Sequence, residues 1–253
     1  MRPRIFIQAR MGSSRLPGKV LMPLAGKPQL EHLIERLGSF TARGEVTVLT
    51  SDQSADDAIE EFCKKNDIGV FRGNESDVLD RYFKAAVKSG AGEEDIIVRI
   101  TADCPLHHKD VVKFALAEFE KHSLDYFSNS FGPHYEDGCD TEVFRFSALK
   151  KAHEEARLLS QREHVTPYIK DSGIFLCGYK KYNPDYKFKL SVDTPEDHES
   201  VDNIFKAFSP ETDFTIHSVV ELLLKKPALI SANKESVINS GYAKSLQNDK
   251  EIK

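Results

Sequence analysis

Three cationic side chains and a glycine–serine cluster stand together at residues 7 to 19, IQARMGSSRLPGK. Gly12, Ser13 and Ser14 let backbone N–H groups approach an oxyanion closely, and Arg10, Arg15 and Lys19 can add charge-assisted bonds around it. The arrangement is sized for a phosphate. Pro17 fixes its own φ and keeps Leu16 out of the helical region, so a stiff, extended loop is expected. A P-loop needs four residues between its glycines and Ser or Thr after the lysine. Here five residues separate Gly12 from Gly18 and Val20 follows Lys19, which argues against an ATPase of that type. The same cations on an ordinary surface loop would simply be solvated. Position favours the phosphate: the loop follows the first apolar run, where open α/β sheets place their ligand crevice.

Two acids invite a second kind of chemistry. Asp103 closes the run DIIVRITAD ahead of Cys104 and Pro105. Asp193 closes FKLSVD ahead of TPED, where Thr194 can cap a helix, Pro195 can take its first turn and Asp197 can return a capping bond. Read as parallel neighbours, the two runs carry both carboxylates to the crevice that the basic loop faces. Two hard oxygen ligands, with phosphate oxygens and water, are what Mg²⁺ takes. Such an ion could neutralise charge on a phosphorus under attack. Taken singly, Asp103 reads as a turn residue and Asp193 as a helix cap. Their joint placement opposite an Arg/Lys loop favours the metal pair.

The elements that would position these groups alternate. Strand-like runs occur at RIFIQA, EVTVLT, IGVFRG, DIIVRIT, LDYFSN, TEVFRF, IFLCGYKKY and FKLSVD. Leu30, Leu33, Ile34 and Leu37 recur at helical spacing, so a helix over 28–37 buries one face, with Pro28 in its first turn. Further helices are expected near 54–65, 76–88, 109–121, 148–158, 161–170, 195–208 and 216–224. Alternation of this kind implies a mostly parallel sheet with crossovers. Residues 125–190 break it with consecutive strands and aromatic content, and read as an inserted β-rich arm of a kind that builds dimers. Residues 240–253 are polar and lysine-rich, the composition of a fraying tail.

Composition bounds the rest. Across 253 residues apolar segments recur without a linker-like gap, so one domain is expected over 1–253. The formal net charge is -5, with both signs mixed, which argues against a broad basic face for nucleic acid or anionic lipid. No signal-peptide core and no membrane-spanning run is read, so a cytoplasmic protein without membrane insertion is expected. Cys63, Cys104, Cys139 and Cys177 are scattered without a CxxC pair and read as reduced thiols. His107 and His108 lack partners at metal spacing, and no HExxH or Gly-x-Ser-x-Gly motif occurs.

IQARMGSSRLPGKVLMPLAGKP, VFRGNESDVLDRY, ITADCPL, REHVTPYI and SVDTPEDH together resemble the cytidylyltransferase family of CMP-Kdo and CMP-sialate synthetases, in its branch of spore-coat polysaccharide biosynthesis protein F. The resemblance covers residues 4 to about 208. It implies an α/β, Rossmann-like nucleotidyltransferase fold in which CTP reacts with a sugar hydroxyl to give a CMP-sugar and pyrophosphate, for surface glycan assembly. By the same resemblance Arg10, Ser13, Arg15 and Lys19 would hold the triphosphate, with Gly12 in the same loop, and Asp103 and Asp193 would hold Mg²⁺. Ala9 and Arg72 would lie near the base, with Arg81 supporting that wall. Gln8 and Ala102 stand where the Kdo and sialate branches commonly have proline and glycine, both near the nucleotide. A homodimer is also implied.

For the acceptor, Asp140, Glu142, Arg162, Glu163 and His164 are the polar candidates, in DTEVF and REHVTPYI. Arg162 suits the carboxylate of an acidic ulosonate because its planar fork binds two oxygens. Ordinary surface contacts for Arg162 and Glu163 and a packing role for His164 compete with this assignment. An i,i+4 pair between Asp77 and Arg81 competes with an active-site role for Arg81. Other triphosphates, a glycosyltransferase and a non-catalytic nucleotide-binding module stay open as alternatives; the second lacks a DxD motif, since residues 103 to 105 read Asp-Cys-Pro.

Overall fold

The computed structural model describes residues 2–129, 136–179, 188–233, 246 and 249–251. After β1 (Arg4–Gln8) come the basic loop, one 3₁₀ turn at Lys19–Leu21, a small hairpin of β2 (Pro23–Leu24) and β3 (Lys27–Pro28), and helices α1 (Gln29–Leu37) and α2 (Ser39–Ala42). The alternation then runs β4 (Val46–Ser51), α3 (Asp57–Lys65), β5 (Gly69–Gly73), α4 (Val78–Lys88), β6 (Ile96–Thr101) and α5 (Lys109–Lys121). Next come β7 (Tyr126–Ser128), β8 (Glu142–Arg145), α6 (Phe146–Glu155), α7 (Leu159–His164), α8 (Pro167–Asp171) and β9 (Cys177–Tyr179). Helices α9 (Pro195–Phe208) and α10 (Ile216–Lys225) follow.

Seven strands form one sheet in the order β5-β4-β1-β6-β8-β7-β9. The first four are mutually parallel, β8 is antiparallel to both β6 and β7, and β9 lies parallel to β7 at the edge. The chain builds outward from β1 to β5 and then crosses through α4 to β6 on the other side of β1. Strand order therefore reverses between β1 and β6, and a crevice opens at their carboxyl ends. The strand-rich segment extends this same sheet.

Side-chain alternation distributes the core. Ile5, Ile7, Val46, Val48, Val98 and Ile100 pack with α1, α3 and α5, whereas Phe6, Leu49, Ile97 and Phe144 pack with α4 and α6. A third cluster joins Leu16 of the basic loop to Leu190, Val192 and residues of α9 and α10. Burying a leucine contributes about 1.5–3 kcal/mol, enough to anchor the loop at that point.

Several expectations are corrected. Among the described residues FKLSVD forms no sheet strand, because β6 is already paired on both edges, by β1 and β8; it makes one bridge there, Lys189 with Asp137. The expected helix over 161–170 splits into α7 and α8, with Val165 between them at φ +71°. Pro28 precedes α1 as its N-cap. Leu159 N–H donates to Lys250 O (2.9 Å) and Ser160 N–H to Asp249 (2.9 Å), so residues 249–251 of the expected tail lie against α7; most of 240–253 lies outside the described residues. No helix among the described residues is long and apolar enough to cross a membrane.

Candidate active site

The basic loop is knotted at one peptide. Met11 O accepts from Ser13 N–H and from Gly18 N–H, both at 2.9 Å, which closes the loop on itself. Gly18 takes φ +74°, a conformation that costs glycine little, and turns the chain into the 3₁₀ turn that begins with Lys19. Lys19 is buried. Its Nζ donates to Val192 O (2.5 Å), Asp193 Oδ1 (3.0 Å) and Asp103 Oδ2 (3.3 Å), and Arg15 Nη2 also reaches Asp193 Oδ1 at 3.0 Å. Burial works against the Lys19 charge, but Asp103 and Asp193 outweigh it and raise its pKa. Burial likewise opposes ionisation of Asp103, and the Lys19 ammonium with the Thr101 hydroxyl holds its pKa below the ordinary value. Asp103 follows the end of β6, and Asp193 immediately precedes the Thr194–Asp197 capping box of α9. The structure thus brings Arg15, Lys19, Asp103 and Asp193 together at the switch point.

Asp193 arrives there by a route other than a strand. Val192 N–H donates to Asp103 O (2.8 Å) and Leu190 N–H to Asp137 O (2.7 Å), while the Ser191 hydroxyl donates to the Asp137 carboxylate. Gly138, at φ +100°, lies so close to this segment that a Cβ would stand 2.6 Å from Leu190 C and Ser191 N. Behind Asp193, the buried Lys189 ammonium contacts Asp193 Oδ2 (3.4 Å) and Asp197 Oδ2 (2.5 Å). Sequence reading missed Asp137, Gly138 and Lys189; the acid-glycine cluster EDGCD was the available signal.

Of the residues expected beside a nucleotide, Ala9 is buried with its N–H on Leu49 O (3.0 Å), Arg10 is exposed, and Ala102 is buried with its N–H on Gln8 O (2.9 Å). Ser13 Oγ accepts from Leu16 N–H at 3.4 Å. Arg72 lies on the edge strand β5, where its guanidinium holds Asp57, Glu60, Ser51 O and Gln53 O. Arg81 does not pair with Asp77: it donates to Asn74 O (3.2 Å) and Glu75 O (3.0 Å), and Nη1 has no partner among the described residues. The turn it fixes faces the basic loop, since Glu75 Oε1 stands 3.6 Å from the Cβ position of Gly12.

The acceptor candidates separate. Glu142 is buried and accepts from Arg99, from the Tyr126 hydroxyl (2.5 Å) and from the Thr166 hydroxyl (2.6 Å). Burial opposes its charge, yet Arg99, Lys170 and these hydroxyls hold it at about 2. Asp140 is pushed up to about 7 by burial and by Asp137, Glu142 and Asp103. Arg162 grips Asp77 with both arms of its fork, at 2.9 and 2.6 Å, and also donates to His153 O (2.8 Å). Asp77 caps α4, so this pair ties α7 to the turn before α4 and gives Arg162 a task other than a substrate carboxylate. Glu163 is exposed, and His164, its pKa lowered by burial, lies 3.9 Å from the Glu163 carboxylate. Arg99, charged within the apolar run IIVRIT, was legible as an anomaly and was not singled out.

The oxygen donors fit a hard cation. Asp103 and Asp193 converge on one positive group, and no three His, Cys, Asp or Glu side chains are grouped as ligands for one ion among the described residues. A bound Mg²⁺ would therefore draw its other ligands from phosphate oxygens and water.

A mostly parallel sheet with a basic glycine–serine loop and paired acids at its switch point defines an α/β protein of the nucleotidyltransferase class. The chain belongs to the cytidylyltransferase family, whose model matches residues 5–237. It is 31% identical over 232 residues to spore coat polysaccharide biosynthesis protein SpsF of Bacillus subtilis, covering 88% of this chain and 94% of that one. It is 33% identical over 125 residues to 3-deoxy-manno-octulosonate cytidylyltransferase 2 of Hydrogenovibrio crunogenus, 49% of this chain and 50% of that one. A solved cytidylyltransferase of Leptospira borgpetersenii superposes with a TM-score of 0.85 at 33% identity, over 94% of this chain and 100% of that one.

Proposed function

We propose that this cytidylyltransferase is Mg²⁺-dependent and transfers CMP from CTP to a hydroxyl of an acidic ulosonate-type sugar, supplying a surface polysaccharide. The observation that carries the reading is the Lys19 ammonium shared by Asp103 and Asp193 beneath the glycine–serine loop. In the reaction the sugar oxygen bonds to the α-phosphorus, the bond from that phosphorus to the bridging oxygen breaks, and pyrophosphate leaves with the electron pair as the hydroxyl gives its proton to solvent. Such a transfer asks the protein for alignment and charge compensation more than for covalent chemistry. Arg10, Ser13 and the loop amides hold the triphosphate, and Arg15 and Lys19 meet the negative charge that grows on the leaving group. Asp103 and Asp193 would hold the metal, which supplies charge neutralisation and lowers the pKa of an oxygen bound to it. Ala9 and the turn fixed by Arg81 flank the base.

The ulosonate class is supported by the octulosonate relative. The grip of Asp77 on Arg162 favours a second reading on the acceptor side, a neutral sugar, because Arg162 then needs no substrate carboxylate. The test is pyrophosphate release from CTP, UTP, GTP, ATP and dTTP with Mg²⁺ and a panel of ulosonic acids and neutral sugars. Release with CTP and an ulosonic acid is expected. Folded protein that is silent with every triphosphate sinks the reading, and release only with neutral sugars replaces its acceptor half. The protein works in the cytoplasm as a homodimer built by the strand-rich segment 125–190, in which β9, an edge strand among the described residues, is preceded by the exposed Ile174 and Leu176. Sedimentation as a monomer at working concentration would remove the dimer.

A further inference from the structure

Asp56 stands outside every motif discussed for substrate, yet it is almost wholly buried, 2% exposed, beside the start of the basic loop. Its Oδ1 accepts from Met11 N–H at 2.7 Å, and its Oδ2 accepts from Ser51 N–H at 3.0 Å and from the Ser51 hydroxyl. One carboxylate therefore joins the loop after β1 to the end of β4. The other side of the Met11 residue is the knot of the loop, since Met11 O takes both Ser13 N–H and Gly18 N–H. Whatever places Met11 places the amides and cations that follow it. A carboxylate has two oxygens that only accept when ionised, which matches three donors arriving from two directions.

We propose that Asp56 is a positioning residue for triphosphate binding: it acts through Met11 to set the shape of residues 11–18, without touching substrate itself. The proposal rests on the reading that residues 10–19 hold the triphosphate. Burial raises the cost of the Asp56 charge, but the amides of Met11 and Ser51 with the Ser51 hydroxyl prevail and keep its pKa below the ordinary value, so the ionised acceptor is the form present at neutral pH. Preorganisation of this kind adds affinity because the loop is not ordered at the moment of binding.

Two ligands separate positioning from general stability. Cytidine makes no phosphate contacts, whereas CTP makes all of them, so the ratio of their affinities reads the triphosphate site, the loop with the metal beside it. Both are measured by calorimetry with Mg²⁺ on the full chain, in wild type, Asp56→Asn and Asp56→Ala. Asp56→Asn keeps the size and one acceptor oxygen while losing the match to three donors. Its CTP-to-cytidine preference is expected to fall about tenfold, the effect of one charge-assisted bond, with cytidine affinity unchanged. Asp56→Ala, where it folds, is expected to lose more, and hydrogen exchange at the Met11 amide is expected to quicken in both variants. A wild-type preference for CTP that survives Asp56→Asn overturns the inference, whether or not the alanine variant folds. Equal loss of CTP and cytidine affinity also overturns it, since that is the signature of a merely structural acid. Wild-type protein that binds CTP no more tightly than cytidine overturns both this inference and the triphosphate reading beneath it.

Discussion

The Lys19 ammonium lies 3.0 Å from Asp193 Oδ1 and 3.3 Å from Asp103 Oδ2, so acids from opposite halves of the chain share one buried cation. Removing it leaves two carboxylates facing each other and, on the proposed mechanism, the leaving group with Arg15 but without its buried donor. Lys19→Met is expected to lower turnover about 10²-fold at saturating substrate, the loss typical of one preorganised electrostatic contact. Initial rates of pyrophosphate release measure this, and near-normal turnover refutes the role.

Metal dependence should follow Asp193. Chelation with EDTA is expected to abolish turnover and added Mg²⁺ to restore it. Asp193→Asn removes one anionic ligand and should raise the Mg²⁺ concentration needed for half-maximal rate. An unshifted titration would show that Asp193 is no ligand.

Gly138 sets how closely the acid-rich EDGCD stretch approaches the segment that delivers Asp193. A methyl group there meets Leu190 C and Ser191 N at 2.6 Å, on a backbone at φ +100°. Gly138→Ala is expected to cost about 1–3 kcal/mol from overpacking and strain and to depress turnover. Thermal unfolding and rate assays check both, and a variant with wild-type values in each contradicts the clamp.

The Asp77–Arg162 pair predicts non-additivity. Asp77→Asn and Arg162→Gln should each destabilise, and the double variant should cost less than their sum by about 1–2 kcal/mol. Additive losses in denaturant melts would mean that the two side chains act separately.

Two neighbouring acids should respond to pH in opposite directions. Asp140, raised to about 7 in the folded chain, binds a proton that the unfolded chain has released, so stability falls as pH climbs from 3.8 to about 7. Glu142, held at about 2, contributes stability that is present above 4.5 and lost as pH falls from there to about 2. Asp140→Asn should therefore gain stability relative to wild type as pH rises through the first window, and Glu142→Gln should flatten the acid limb. Thermal melts across pH show both, and parallel curves for either variant sink its assignment.

Much of the fold was legible because its signals are local. Helices α5 and α9 fall at the residues their periodicity marked, and the Thr194-Pro195-Asp197 cap forms as its residue types require. FKLSVD shows the limit. Its composition is that of a strand, but a strand needs a free edge beside it, and β8 had taken the edge of β6. Pairing is a relation between distant segments, and composition does not record it. The break was closer to hand, since Pro167 has no N–H to carry one helix through and instead takes the first turn of α8.

The sequence by itself determined the chemistry on offer: an oxyanion loop at 10–19, two acids at the ends of apolar runs, and a family resemblance through the motifs that carry them. Tertiary structure alone decided the partnerships. Arg162 was read as a fork for a substrate carboxylate and is held by Asp77, while Asp56, which no motif marked, grips Met11. The physical reason is that a charged side chain's role depends on which opposite charge or donor lies within about 3 Å of it. Folding sets that distance between residues that spacing along the chain leaves unrelated.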